Sequence, residues 1–159
     1  NKIKSNKIKR VNNLFPNGSE IEEVILRDKN KNYLLVLNSP NNPSGQICKN
    51  LEEIGEIAKK YNLIILSDEI YSELSFDEGF KSISSFCPEK TIISTGLSKW
   101  CGAGGWRLGY FVVPDSLNIL KNSINVLASE TFSAVSAPIQ YAAITAYTSD
   151  HSKYIDSSK

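Results

Sequence analysis

Tyr33-Leu34-Leu35-Val36-Leu37, then Leu51-Glu52-Glu53-Ile54-Gly55-Glu56-Ile57-Ala58-Lys59-Lys60-Tyr61, then Leu63-Ile64-Ile65-Leu66 follow one another closely along the chain. The first and third are continuous apolar runs bounded by turn formers, the pattern of strands buried on both faces. In the middle run Leu51, Ile54, Ile57, Ala58 and Tyr61 fall on one helical face, with acids in the first turn and lysines in the last, as the helix dipole favours. Two buried strands joined by an amphipathic helix make a right-handed parallel crossover, so the architecture is α/β.

Working outward, Thr91-Ile92-Ile93-Ser94 is a third buried strand, and Arg107 to Val113 a fourth. The dozen residues between them are rich in Gly and carry no helical stripe. They cannot form a crossover helix, so the fourth strand is expected to run antiparallel. Pro114-Asp115-Ser116 opens a helix bearing Leu117, Leu120, Ile124 and Leu127, and another starts near Pro138 with Ile139, Ala142, Ala143 and Ala146. Upstream, Ser19-x-x-Glu22 has capping-box spacing, with Ile21, Val24 and Ile25 as the stripe behind it. Residues 1–18 and 148–159 read as mobile or irregular flanks. The first of these holds Lys2, Lys4, Lys7, Lys9 and Arg10 with no aromatic residue among them, which reads as a solvated arm or edge segment, a nucleic-acid patch being the weaker alternative.

Composition excludes several classes. The chain has 159 residues, a formal charge of +1 and 41% hydrophobic content. Mixed signs without a large basic field argue against nucleic-acid binding. No apolar run approaches the roughly 18 residues of a bilayer helix, and the N-terminal residues lack a signal-peptide core, so neither membrane nor secretion is expected. Cys48, Cys87 and Cys101 are odd in number and widely spaced. With only His151 to join them, neither a zinc site nor a disulfide framework is expected, the thiols read as buried or half-buried, no metal site is expected, and a reducing, cytoplasmic setting fits. The chain contains no Met, which points to a piece of something longer.

In open α/β sheets ligands bind beyond the carboxyl ends of the strands. Here the first strand is followed by Asn38-Ser39-Pro40-Asn41-Asn42-Pro43-Ser44-Gly45, the second by Ser67-Asp68-Glu69-Ile70-Tyr71, and the third by Gly96-Leu97-Ser98-Lys99. Taken singly, the first is good turn chemistry, Asp68 reads equally as a helix N-cap, and a Lys is most often a surface charge. Arg107 is harder to dismiss. It is one of three Arg against fifteen Lys, and it closes a loop containing Gly102, Gly104 and Gly105 that lets backbone approach a ligand. Its planar fork grips phosphate or carboxylate with two parallel bonds. The loop lacks the third Gly of a dinucleotide fingerprint. There is no phosphate-binding loop of the Gly-x-x-x-x-Gly-Lys type and no Gly-x-Ser-x-Gly elbow. An amine, an acid, an amide and an anion-binding Arg remain, the set a pyridoxal phosphate enzyme needs.

These three blocks, the last extending through Leu97-Ser98-Lys99-Trp100-Cys101-Gly102-Ala103-Gly104-Gly105-Trp106-Arg107-Leu108-Gly109-Tyr110, resemble in order and spacing those of the class I/II aminotransferases of fold type I, related to aspartate aminotransferase. The resemblance is close over Tyr33 to Pro114. It implies a three-layer α/β sandwich whose mostly parallel sheet carries one antiparallel strand, with residues 1–159 forming part of the large, cofactor-binding domain. It implies pyridoxal 5'-phosphate as cofactor, with Lys99 forming the internal aldimine and shuttling the proton. Asp68 would hold the pyridinium nitrogen protonated, Asn42 and Tyr71 would bond the phenolic oxygen, and Arg107 the phosphate. Family members often carry a phosphate-binding Ser three residues before the Lys; that position is Gly96 here, so Ser94 or Ser98 is expected to substitute.

The expected activity is amino-group transfer between an amino acid and a 2-oxo acid by a homodimer. A carbon-sulfur lyase on the same scaffold and an inactive truncated product are the alternatives. The Arg that grips the substrate carboxylate has no counterpart, because Arg10 and Arg27 both lie upstream in the wrong context.

Overall fold

The computed structural model describes residues 14–76 and 79–158. The basic arm expected at the N-terminus lies outside the described residues. Its elements run α1 (Gly18–Leu26), β1 (Leu34–Asn38), α2 (Leu51–Lys60), β2 (Ile64–Asp68), β3 (Thr91–Gly96), β4 (Gly109–Val112), α3 (Asn118–Thr131), α4 (Ala137–Thr148) and α5 (Ser152–Ser158). The strands form one sheet in the order β1-β2-β3-β4. The pairs β1/β2 and β2/β3 are parallel and β3/β4 is antiparallel. This is the mixed α/β sheet expected, with the reversed strand where the Gly-rich connection placed it.

One sheet face is dry over β1 and β2. Leu37 and Ile65 pack there against Ile21 and Ile25 of α1 and Leu51, Ile54 and Ala58 of α2, with Ile54, Ala58 and Ile65 fully buried. Chain reversal into β2 uses Asn62 in the left-handed region, φ 53°, a conformation Asn tolerates better than most residues. The other face is open at its β1 edge, where Leu34 and Val36 are 57% and 61% exposed. A second cluster lies beyond the strand ends, with Leu97, Trp100 and Leu108 packed against Ala143 of α4 and Ile155 of α5.

Two expectations are corrected. The capping box of α1 is Asn17 with Glu20, not Ser19 with Glu22. Asn17 Oδ1 accepts from the Glu20 N–H at 2.9 Å, and Glu20 Oε2 accepts from the Asn17 N–H at 2.9 Å. Glu22 is drawn away by Lys60 of α2, whose Nζ lies 2.8 Å from it, and by the Tyr61 hydroxyl. The segment 148–159, expected to be irregular, contains α5. Ile155 anchors it in the second cluster, and the His151 ring stacks 4.5 Å from that of Trp100.

Candidate active site

The site is built at the carboxyl ends of β1, β2 and β3, where register aligns Asn38 with Asp68 and Asp68 with Ser94. Register partners share a face, so the acid, the amide and the serine lie on the less covered side of the sheet. Neighbouring acids part company here. Asp68 is half-buried on that side, while Glu69 is turned inward, 5% exposed, and accepts from the Ser67 and Ser82 hydroxyls at 2.8 and 2.7 Å. Burial pushes the Glu69 carboxyl above its ordinary range, and the two hydroxyls oppose that. Glu69 is thereby a structural acid, and Asp68 is the one presented at the strand end.

The Asp68 carboxylate is pinned at both oxygens. Oδ1 accepts from the Ile70 N–H at 3.4 Å, and Oδ2 accepts from Asn38 Nδ2 at 3.2 Å. From Asn38 the contacts run into the loop after β1, because its Oδ1 accepts from the Asn42 N–H and from Asn41 Nδ2, each at 3.1 Å. Asn42 Nδ2 in turn donates to the Tyr71 hydroxyl at 3.0 Å. The Lys99 ammonium lies over the Tyr71 ring, 5.3 Å from its centroid. The loop holding Asn42 is itself fixed. Ser39 Oγ accepts from the buried Cys48 N–H at 3.0 Å, and Asn41 N and O bond Gln46 O and Gly45 N at 2.9 and 2.7 Å. Gly45 takes φ +71°, which closes that turn without the penalty a side chain would meet.

Lys99 stands exposed in a turn beyond β3, between buried Leu97 and Trp100. Gly102 N–H donates to Lys99 O at 3.0 Å to close the turn, with Gly102 at φ +64°. A Cβ at Gly102 would run into the Tyr154 hydroxyl of α5. Arg107, also exposed, takes the left-handed conformation at φ 57°, and its Nη1 donates to Gly104 O at 3.0 Å. A Cβ at Gly104 would come within 3.5 Å of Ser98 O, so the Arg107 loop closes back onto the lysine turn.

Asn42, Asp68, Tyr71 and Lys99 are thus brought into one run of contacts, with Arg107 on the adjoining loop. Ser94 and Ser98 separate: Ser94 is the register partner of Asp68, while Ser98 lies beyond β3, its carbonyl oxygen 3.5 Å from the Cβ position of Gly104. Gly96 carries no Ser for a steric reason. A Cβ there would lie 2.5 Å from Leu108 O and 2.8 Å from Gly109 Cα. Sequence reading passed over Asn38. A polar side chain closing an otherwise apolar strand, one residue before the Ser-Pro turn, was the signal available. Cys48 and Cys87 are buried and Cys101 is half-buried, and none of the three is in a disulfide. Among the described residues no cluster of His, Cys, Asp or Glu could hold a metal ion, and no helix is long and apolar enough to cross a membrane.

Known proteins match this chain in sequence and in fold. Asparagine–oxo-acid transaminase of Streptococcus mutans is 36% identical over 132 residues, 79% of this chain and 33% of that protein. Aspartate aminotransferase of Geobacillus stearothermophilus is 39% identical over 121 residues, 72% of this chain and 30% of the relative. The crystal structure of aspartate aminotransferase from Thermotoga maritima superposes with a TM-score of 0.75 at 31% identity, covering 86% of this chain and 36% of that one. The chain therefore spans about a third of the length of the curated relatives it matches. A family model for aminotransferase class I and II matches residues 3–158, and the chain belongs to that family.

Proposed function

We propose that the polypeptide carrying this chain is a pyridoxal phosphate-dependent aminotransferase acting on an amino acid and a 2-oxo acid, and that this segment holds the cofactor. The observation that carries the reading is the continuous run of contacts from Asp68 through Asn38, Asn42 and Tyr71 to Lys99. Its donor set fits the cofactor's chemistry: a carboxylate for a ring nitrogen, an amide and a phenol for a phenolic oxygen, an amine for a carbonyl and a guanidinium for a phosphate.

Bound pyridoxal phosphate supplies an electron sink for the pair of electrons left when a substrate carbon loses its α-proton. This chain's own groups do the rest. Asp68, kept in one orientation by Asn38 and Ile70, holds a proton on the ring nitrogen. Asn42 and Tyr71 orient the ring from its phenolic side. Lys99 would supply the amine for the cofactor carbonyl and, once the substrate's own amine has displaced it, would hold and move the proton at the substrate's α carbon. Arg107 binds the phosphate with the guanidinium nitrogens left over from Gly104 O. Ser94 or Ser98 would add a hydroxyl to that contact.

Borohydride reduction of the cofactor-loaded full-length protein, followed by peptide mapping, tests the assignment. The pyridoxyl adduct is expected on Lys99, and an adduct on any other lysine overturns it. Lys99→Ala is expected to lower kcat for oxo-acid-dependent amino transfer by roughly 100-fold to 10,000-fold, the range for a lost general acid–base.

A further inference from the structure

Resting on the reading above, we infer that Asn38 is a positioning residue that couples the ring-nitrogen acid, Asp68, to the phenolic-oxygen amide, Asn42, so that the two contacts to the cofactor act as a unit. Asn38 is the last residue of β1 and sits opposite Asp68 in the parallel register. Its Nδ2 points at two oxygens of one residue, Asp68 Oδ2 at 3.2 Å and Asp68 O at 3.4 Å. Its Oδ1 faces two donors, the Asn42 N–H and Asn41 Nδ2. Turning the amide over would set an oxygen against a carboxylate and an NH₂ against two donors, so the network permits one orientation only.

That orientation has a mechanical consequence. Asn42 is an exposed loop residue, and one of the bonds fixing its backbone nitrogen to the sheet is the one to Asn38. The same half-buried amide fixes one of the two Asp68 oxygens. Displacing either cofactor contact therefore disturbs Asn38, and through it the other. A hydrogen bond to a charged group is worth more than a neutral one, and its loss corresponds to an effect on the order of tenfold to a hundredfold.

The experiment is a set of mutant cycles on the full-length protein. It reads the dissociation constant for pyridoxal 5'-phosphate and the visible absorption maximum of the bound cofactor, with thermal unfolding as the check on folding. Asp68→Asn and Asn42→Ala are combined with and without Asn38→Leu. Their effects on the dissociation constant are expected to be non-additive with Asn38 present and to become additive in Asn38→Leu. Asn38→Asp, the same size, keeps an acceptor for the Asn42 N–H but turns an oxygen toward Asp68. It is expected to weaken binding at least tenfold and to shift the absorption maximum in the direction Asp68→Asn does, and it carries the test should Asn38→Leu fail to fold. Additivity already in the unmodified protein, or an Asn38→Asp protein that binds within twofold of it with an unmoved band, overturns the inference. Borohydride trapping in the same samples separates the two levels. Trapping on Lys99 with additive cycles sinks the coupling alone, and no trapping on Lys99 sinks the proposed function together with the coupling.

Discussion

Gly96 closes β3 opposite Gly109 of β4, and the space a side chain would need is occupied by backbone, with Leu108 O 2.5 Å from the Cβ position. Backbone cannot rotate aside as a flexible side chain does. Gly96→Ser is therefore expected to destabilise the protein by about 1–3 kcal/mol, the usual cost of forcing extra atoms into a packed site, measured by urea denaturation. Although it recreates the phosphate-binding Ser common among family members, it is expected to leave the dissociation constant for pyridoxal phosphate no tighter. A tighter complex at unchanged stability would show that β3 and β4 can part there. The other residues of the site were legible because each departs from its surroundings: Asp68 and Lys99 follow apolar strands, and Arg107 ends a Gly-rich loop. Asn38 was not, since its role depends on which residue of β2 faces it, and register across a helical crossover is invisible in the sequence.

The helices show where an amphipathic pattern predicts burial and where it predicts only a helix. Leu51, Ile54 and Ala58 of α2 and Ile124 and Leu127 of α3 recur at the same helical spacing, yet Ile54 is fully buried while Leu127 is 64% exposed. Periodicity fixes a helix and its apolar side, but what meets that side is a tertiary fact. Ile54→Ala is accordingly expected to cost about 2–5 kcal/mol, the transfer term plus a cavity between α2 and the sheet. Leu127→Ala in this chain is expected to stay within about 0.5 kcal/mol. Parallel urea melts of the two variants decide it, and equal losses would mean that α3 is covered. The misplaced capping box has a similar cause. Two Ser or Asn residues precede two Glu residues at the required spacing, and the choice between them comes from the end of α2, where Lys60 and the following Tyr61 claim Glu22. The antiparallel course of β4 was legible because a connection without a helix leaves the chain no other way back.

At the scale of the molecule, the dry face under α1 and α2 and the open face opposite have different fates. Leu34 and Val36 stand exposed on β1 beside half-buried Ile64 and Leu66, their register partners on β2. Ile119 on α3 is 87% exposed, and Phe132 and Tyr141 are exposed by 68% and 73%. Scattered apolar residues are normal on a protein surface, but a contiguous sheet face of this kind is normally covered. This chain covers only about a third of the matched relatives' length. The 159-residue chain produced alone is therefore expected to self-associate with rising concentration in sedimentation velocity and to bind an apolar dye. Val36→Glu combined with Ile119→Glu is expected to shift it toward monomer and reduce dye binding at unchanged far-ultraviolet circular dichroism, because both side chains already face solvent and neither supports the core. A chain that stays monomeric and dye-free at high concentration without these changes would mean that its open face is covered from within.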